Sequence, residues 1–526
     1  MAGTTSKSKI LLQYGGIFLL FFSIFLFGQL TKVDLFGYDA YYHAKHSALI
    51  AQSGNLSLVE PWVEYHFLSY APVDPYWLFH VITAGFIKLF GTMLGIKIIS
   101  ALAATSVFLS FYIVLKKLNL KKPFIFTLLF FISSSSFLFR LLLERPFVIS
   151  IACTLLGIYF IIKKRYLFLG ILSTVYILLY NLAPILLFSV IIDLIIQKIH
   201  RPKLDLKPLI AALIGLTLGL LLHPHTTNYI VLIYSHFIQI FWLKINGVSL
   251  PSGLEIQIGS SLSFLKYNIF AVISFVISAA IYISLRLDDA KKYLLDLFFV
   301  ISTIWFLLAM VIPRAIEYWI PFSWIFTAVL FTYLTKKGFI SNIKDGFEKK
   351  LKLKLLKIFL IILIMEIFFL PFYNLSKYIM QENKTTDLSS HEEINNFLIK
   401  NTDKYSLVFY PKWSMFPKFF YSNTHNRYIS AFDPVFTYTY NPEFFWIYSH
   451  IVANGLYCNT EEICEGPLTP QKNLEAIHLA FEKIFETHII IMEKDSYTPL
   501  LPILLHDEDN YKKKFENEIF LIFEVL

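Results

Sequence analysis

Asp39 stands in Phe36-Gly37-Tyr38-Asp39-Ala40-Tyr41-Tyr42-His43, a carboxylate set among aromatics just past the first long apolar run. A carboxylate placed there suits work on a polar group at a membrane face, as a base or as an orienting charge. A second carboxylate, Glu144, sits in the turn Glu144-Arg145-Pro146, and a third, Glu255, in Gly253-Leu254-Glu255. Arg314, in Pro313-Arg314-Ala315-Ile316-Glu317-Tyr318, offers a fork able to hold a phosphate through two parallel hydrogen bonds. Each residue also has a plain structural reading. Asp39 is a favoured N-cap for a helix starting near Ala40. Glu144 pairs with Arg145, and Arg314 reaches toward lipid headgroups. Tyr41, Tyr42, Trp62, Tyr76 and Trp77 read as an interfacial aromatic belt. His43, His66, His80, His223 and His225 do not indicate zinc, because no local pair has helical ligand spacing beside a third ligand.

The elements that must position these residues are membrane helices. The 526-residue chain is 56% hydrophobic and 16% charged, against about 25% charged in soluble domains, and its mean hydropathy is +0.60. Apolar runs of roughly 18 to 22 residues recur from Ile10 to Pro371, each long enough for a ~30 Å hydrocarbon core. The run at 10–28 lacks a small-residue cleavage site and reads as a retained helix. The net charge of +9 does not point to nucleic acid, since Lys and Arg cluster in short loops at 116–122, 163–165, 198–207, 286–292 and 336–357. Such loops set orientation. All five fall on the inner side if 76–92, short and broken by His80, Lys88 and Gly91, is an interfacial or re-entrant helix.

Spans are then expected near 10–28, 94–115, 123–142, 146–162, 166–181, 183–198, 208–222, 267–285, 293–312, 318–335 and 356–372, about eleven in all. The fold class is a polytopic α-helical membrane protein with an extracytoplasmic C-terminal α/β domain. A membrane domain, 1–373, carries long outer loops at 29–93 and 223–265, and a soluble domain covers 374–526. The N-terminus is placed in the cytoplasm and the protein in the plasma membrane. Asp39, Glu144, Glu255 and Arg314 then share the outer face. In the soluble domain, 405–410, 487–492 and 519–526 read as strands, and 389–400 and 472–486 as amphipathic helices. Cys458 and Cys464 are either a disulfide of an oxidising compartment or two reduced thiols.

Taken in order, these motifs resemble those of the GT-C membrane glycosyltransferases, and most of all oligosaccharyltransferase catalytic subunits. Asp39-Ala40-Tyr41-Tyr42-His43 is similar to the family's first-loop acidic motif. Glu144-Arg145-Pro146 stands where the family carries a second-loop acidic pair, and Gly253-Leu254-Glu255 lies in a long loop like the one supplying a third acid. Arg314 to Pro321 is similar to a segment whose Arg faces the donor. The resemblance implies catalysis by Asp39 and Glu144, and donor-phosphate contacts from Arg314, Arg145, His223 and His225. It implies Mg2+ or Mn2+ on Asp39, Glu144 and Glu255, and substrate contacts from Tyr41, Tyr42, His43, Asp74, His80, Glu317 and Trp413. The partners implied are a polyprenyl-linked sugar donor, an extracytoplasmic acceptor and membrane lipids.

Two departures are informative. Only one carboxylate occupies the second-loop position, because Arg145 and Pro146 fill the rest. The segment after the first expected strand, Tyr410 to Pro417, keeps Trp413 but lacks the Asp of the family's sequon-reading motif. There is no Walker loop, dinucleotide fingerprint, zinc-binding Cys set or nucleophile elbow, so no nucleotide cofactor is expected. A transporter or flippase of lipid-linked sugars and a non-catalytic receptor or scaffold are the alternatives. The first would place more ionisable residues deep within spans, and the second would put its function in the soluble domain.

Overall fold

The apolar runs fold as helices close to where the sequence puts them. The computed structural model describes residues 2–59, 62–200, 203–248, 250, 261–285, 292–337, 372–377, 379–380, 388–462 and 469–526. The chain divides into two compact units.

The first unit comprises Met1–Val33, Leu94–Leu222 and Leu254–Lys384. Among the described residues, five helices are long and apolar enough to cross a membrane: Leu11–Leu30, Thr92–Lys117, Leu262–Ser284, Tyr293–Val311 and Pro313–Lys336. A sixth is reached if the bent pair Pro123–Phe131 and Ser135–Leu142 counts as one span. The expected count of about eleven is thus not met among the described residues. The helices Phe147–Ile162, Tyr166–Leu179 and Lys207–Leu222 have 16, 14 and 16 residues. At ~1.5 Å per residue they reach about 21–24 Å, short of a ~30 Å core. The last expected span, 356–372, lies almost wholly outside the described residues.

Two local features shape this unit. The expected span 123–142 breaks and bends by 84°. The break is stabilised by Ser134, whose hydroxyl accepts from Phe137 N at 3.0 Å, while the Ser136 hydroxyl donates to Asn268 Oδ1 at 2.8 Å. The bend directs Arg140, on the second half, and the following Glu144-Arg145 turn. Elsewhere, small residues let two backbones meet: a Cβ on Gly215 would stand 2.2 Å from Gly170 O, and one on Gly219 would stand 2.7 Å from Thr174 O. Thr174 Oγ1 donates to Gly215 O at 2.9 Å across this contact. Close packing of small residues is a favoured way to join helices in lipid.

The second unit gathers both long loops with the C-terminal segment: Asp34–Met93, His223–Gly253 and Thr385–Leu526. Its centre is a five-stranded sheet of β1 (Leu407–Phe409), β2 (Arg427–Tyr428), β3 (Ile489–Glu493), β4 (Tyr511–Glu516) and β5 (Phe520–Val525), in the order β2-β1-β3-β5-β4. β1 is parallel to β2 and β3, and β5 is antiparallel to β3 and β4. Side chains alternate between faces. Phe409, Ile490 and Met492 pack with the helices Pro442–Asn454 and Pro470–Leu479. Val408, Ile491 and Ile522 pack with Ser389–Asn401, Phe416–Ser422 and Tyr42 of the helix Asp39–Ser53. The first loop is tied to the sheet by a bridge between Val63 and Tyr428 and by Trp62 Nε1 donating to Thr424 O at 2.7 Å.

Cys458 is disulfide-bonded, while Cys464 lies outside the described residues. Segment 76–92 forms the separate 14-residue helix Trp77–Phe90.

Candidate active site

Chemistry-bearing residues gather in two clusters, one in each unit. In the second unit, Gly37 takes a φ of 76°, a turn that glycine alone adopts without strain. That turn opens the helix Asp39–Ser53, so Asp39 is its first helical residue; the N-cap is Tyr38, which makes no side-chain cap. The expected capping role therefore does not hold. Asp39 is half-buried at a helix N-terminus, where a negative charge is favoured. Lys418, fully buried on the helix Phe416–Ser422, stands 4.9 Å from the centroid of the Tyr38 ring. Tyr41 and Tyr42 are buried inside the unit rather than displayed as a belt, with Tyr42 edge-on to Phe432 at 4.8 Å.

Further along the same helix, His43 and His46 follow one another by one turn. His43 Nδ1 meets His80 Nε2 at 2.8 Å, and His80 Nδ1 meets Asp74 Oδ2 at 2.7 Å. His46 Nε2 faces the same Asp74 oxygen at 3.3 Å. Asp74 Oδ1 accepts from Tyr76 N at 3.0 Å, and His223 Nε2 lies 3.0 Å from the Asp74 carbonyl oxygen. Burial alone would raise the Asp74 carboxyl, but the imidazoles of His80 and His46 outweigh it and hold it well below the usual range. Burial lowers His80 and His223. His225 is half-buried, and its Nδ1 has no hydrogen-bond partner among the described residues. From the sequence the histidines were not expected to bind zinc, because no local pair had ligand spacing beside a third ligand. That reading overlooked His46, the residue that completes a group of His46, Asp74 and His80 whose ligating atoms lie within 4.8 Å of one another.

His66 stands apart from this group, capping the helix Phe67–Tyr70 by accepting from Leu68 N at 3.1 Å. Full burial lowers its pKa to about 3. Above its ordinary value of 6.5 the ring is neutral whether the chain is folded or not. As pH falls below that value the unfolded chain binds a proton that the folded one refuses, so stability drops by about 1.4 kcal/mol per pH unit until roughly pH 3. His66→Asn keeps an acceptor for Leu68 N–H and removes the titration. Thermal midpoints of purified protein between pH 7 and 4 are expected to fall less steeply for the variant; parallel curves would contradict this assignment.

In the first unit the cluster surrounds Phe147, the first residue of the helix Phe147–Ile162. The guanidinium carbons of Arg140, Arg145 and Arg314 lie 4.8, 5.5 and 5.6 Å from its ring centroid, a cation–π arrangement. Arg140 Nε donates to Glu317 Oε1 at 2.7 Å, and Arg314 Nε stands 3.7 Å from the same oxygen. Glu317 Oε2 is buried with no hydrogen-bond partner among the described residues. Arg314 also donates to the Tyr180 hydroxyl. Glu144 is fully buried, next in the chain to Arg145. The Arg314 side chain is 21% exposed, against 11% for Arg140, so Arg314 is the more open of these two. Three guanidiniums outnumber the carboxylates of Glu317 and Glu144, which suits the region to an anion.

Of the expected site residues, the structure therefore joins Asp74, His80, His43 and His223 in one cluster, and Arg314, Arg145 and Glu317 in the other. Asp39 and Trp413 belong to the second unit and Glu144 to the first, while Glu255 lies outside the described residues. Trp413 opens the one-turn segment Trp413–Met415, half-buried. Arg140 and Tyr180 were missed, although an arginine inside an apolar run is a signal in its own right.

No protein-family model and no curated protein sequence matches this chain. Solved structures do match in fold. The archaeal oligosaccharyltransferase AglB from Archaeoglobus fulgidus, in complex with an inhibitory peptide and a dolichol-phosphate, has a TM-score of 0.59 at 11% identity. The match covers 94% of this chain and 72% of that one. A complex of the Archaeoglobus fulgidus oligosaccharyltransferase with Zn and sulfate has a TM-score of 0.55 at 11% identity, over 94% and 70%. ArnT from Cupriavidus metallidurans, bound to undecaprenyl phosphate, has a TM-score of 0.55 at 12% identity, over 97% of this chain and 98% of that one. At such identities the likeness speaks for the fold. The chain is an integral membrane protein with the fold of the GT-C glycosyltransferases, shared over most of its length with an archaeal oligosaccharyltransferase and with ArnT.

Proposed function

We propose that the protein is a membrane glycosyltransferase that moves a sugar or oligosaccharide from a polyprenyl-phosphate or -diphosphate donor to an extracytoplasmic acceptor. The observation that carries this reading is the guanidinium cluster around Phe147, set in a fold shared with proteins solved with dolichol-phosphate and undecaprenyl phosphate. The isoprenoid tail of such a donor lies in the bilayer and its phosphate near the headgroups. Arg314, fixed by Tyr180 and Glu317, binds the phosphate, and Arg145 adds a second guanidinium. Their charge stabilises the negative charge that grows on the leaving phosphate. Asp39 accepts the acceptor's proton or orients its nucleophile. One displacement inverts the anomeric centre. Of the two histidines expected to contact the donor, His223 is engaged with the Asp74 carbonyl, whereas His225 Nδ1 has no hydrogen-bond partner among the described residues.

The expected Mg2+ or Mn2+ on Asp39, Glu144 and Glu255 enters no step here. Glu255 lies outside the described residues, and the other two belong to different units. Loss of transfer in EDTA and its recovery with Mn2+ would bring such an ion into the mechanism.

The acceptor half departs from a sequon reader. Trp413 is followed by Ser414, Met415 and the helix Phe416–Ser422, which packs on the Asp39–Ser53 side of the sheet. An acceptor other than an Asn-x-Ser/Thr peptide follows, a glycan or a lipid. The test is transfer by purified protein from a polyprenyl-phosphate sugar. Turnover with a glycan or lipid acceptor and none with an Asn-x-Thr peptide is expected. Efficient glycosylation of the peptide would overturn the acceptor assignment. Absence of any transfer, with lipid-linked sugar instead moved across vesicles, would favour a flippase.

A further inference from the structure

We propose that His46 Nε2, Asp74 Oδ2 and His80 Nδ1 hold a zinc-class divalent ion that locks the helix Asp39–Ser53 to the helix Trp77–Phe90. The three residues are 1%, 2% and 0% exposed, so this is an interior group and not a solvated charge cluster. A fully buried carboxylate needs compensation by pairing or by a metal, and two imidazoles converge on a single oxygen of this one. The 3.3 Å between His46 Nε2 and Asp74 Oδ2 equals the edge of a tetrahedron with bonds of roughly 2.0 Å, which is zinc geometry. Two imidazoles and one carboxylate select a borderline ion of the zinc type over Mg2+ or Ca2+, which prefer all-oxygen sites.

The surroundings are those of a prepared ligand set. The other Asp74 oxygen is already held by Tyr76 N, which leaves Oδ2 for the ion. His80 presents Nδ1 inward and its Nε2 meets His43 Nδ1 at 2.8 Å, so His80 can donate its second N–H outward, as metal-bound histidines usually do. The Asp74 backbone carbonyl is pinned by His223. Without the ion, a proton on His80 Nδ1 spans the 2.7 Å to Asp74. In the ion-bound form that single proton sits on Nε2 instead, toward His43, and the Nδ1 lone pair faces the cation. Three protein ligands leave the fourth position of a tetrahedral ion to water.

The consequence is positional. His46 lies seven residues, about two helical turns, after Asp39 on one helix. An ion that fixes His46 to Asp74 and His80 therefore fixes the helix that begins with Asp39. This site is independent of the donor chemistry and uses none of the carboxylates Asp39, Glu144 or Glu255.

The test uses full-length protein purified in detergent without chelator. Elemental analysis is expected to find about one equivalent of zinc per chain, or uptake of about one equivalent of Co2+ with the visible absorption of a tetrahedral nitrogen–oxygen site. His46→Ala, Asp74→Asn and His80→Gln should each lose the ion, whereas His66→Gln, a buried histidine outside the group, should retain it. Stripping wild-type protein with a chelator should lower its thermal midpoint, and added Zn2+ should restore it. Because loading is read on wild-type protein, an unstable variant does not blunt the test. Wild-type protein that neither carries nor takes up Zn2+ or Co2+ would overturn the proposal and leave an Asp–His–His hydrogen-bond network. Metal retained at full occupancy in folded His46→Ala and Asp74→Asn would place the ion elsewhere.

Discussion

Asp39→Asn is expected to reduce transfer by about 10²–10⁴-fold at saturating donor, with folding preserved. Asparagine matches aspartate in shape, and the helix loses only the roughly 0.3–1 kcal/mol that a negative charge contributes in its first turn, so the half-buried position at the head of Asp39–Ser53 survives the change. What goes is the charge that takes or steers a proton. Donor affinity should hardly move, since the phosphate contacts are assigned to Arg314 and Arg145. The measurement is single-turnover transfer, with monodispersity by size exclusion and thermal midpoint as controls. A well-folded variant with near-normal turnover would remove Asp39 from the mechanism. The zinc-class site gives a second control: loss of that ion acts through the helix, so it should lower the thermal midpoint clearly more than Asp39→Asn does.

Much of the helical framework was legible because apolar runs declare themselves whatever they pack against. Nine of the expected spans each fall on a helix, from Ala2–Leu30 to Ile316–Lys336, with ends that differ by up to eight residues. What hydropathy could not give was their length across a bilayer or the 84° bend at Ser133 and Ser134, where four serines are the sole hint. In the sheet, β1, β3 and β5 were visible as apolar runs, but β2 is two residues long and β4 reads Tyr-Lys-Lys-Lys-Phe-Glu. Lysines on an exposed edge strand guard against pairing with other chains, and they hide the strand from a hydrophobicity pattern.

Several members of the two clusters were singled out by residue type and local motif, among them Arg314, Arg145, Glu317, Asp74 and His80, while Glu255 lies outside the described residues. Their groupings were not legible. Arg140 and Glu317 are 177 residues apart, and His46, Asp74 and His80 come from two helices and the stretch between them. Neither grouping has a local spacing to betray it. The histidines misled because ligand spacing was sought within one helix, whereas each helix contributes one imidazole and the carboxylate comes from the intervening chain.

Arg140 and Arg314 touch the same carboxylate, yet their removal should do opposite things. Glu317 is 1% exposed, and Arg140 is its close partner at 2.7 Å, while Arg314 stands back at 3.7 Å. Removing one partner of a buried ion pair costs about 3–5 kcal/mol, because the other charge is stranded away from water. Arg140→Ala is therefore expected to lower the thermal midpoint sharply and to reduce the yield of monodisperse protein. Replacing both partners, as in Arg140→Leu with Glu317→Leu, should recover much of that loss, since an apolar pair of similar volume is often as stable. Arg314→Ala leaves the Arg140–Glu317 pair intact and should cost little stability. It removes a guanidinium more exposed than that of Arg140, so it should raise KM for the donor and lower kcat together, acting on the phosphate in both ground and transition states. Thermal unfolding and donor titrations on the same four proteins decide the matter. Severe unfolding in Arg314→Ala with a stable, kinetically impaired Arg140→Ala would exchange the two roles and make Arg140 the residue that meets the donor phosphate.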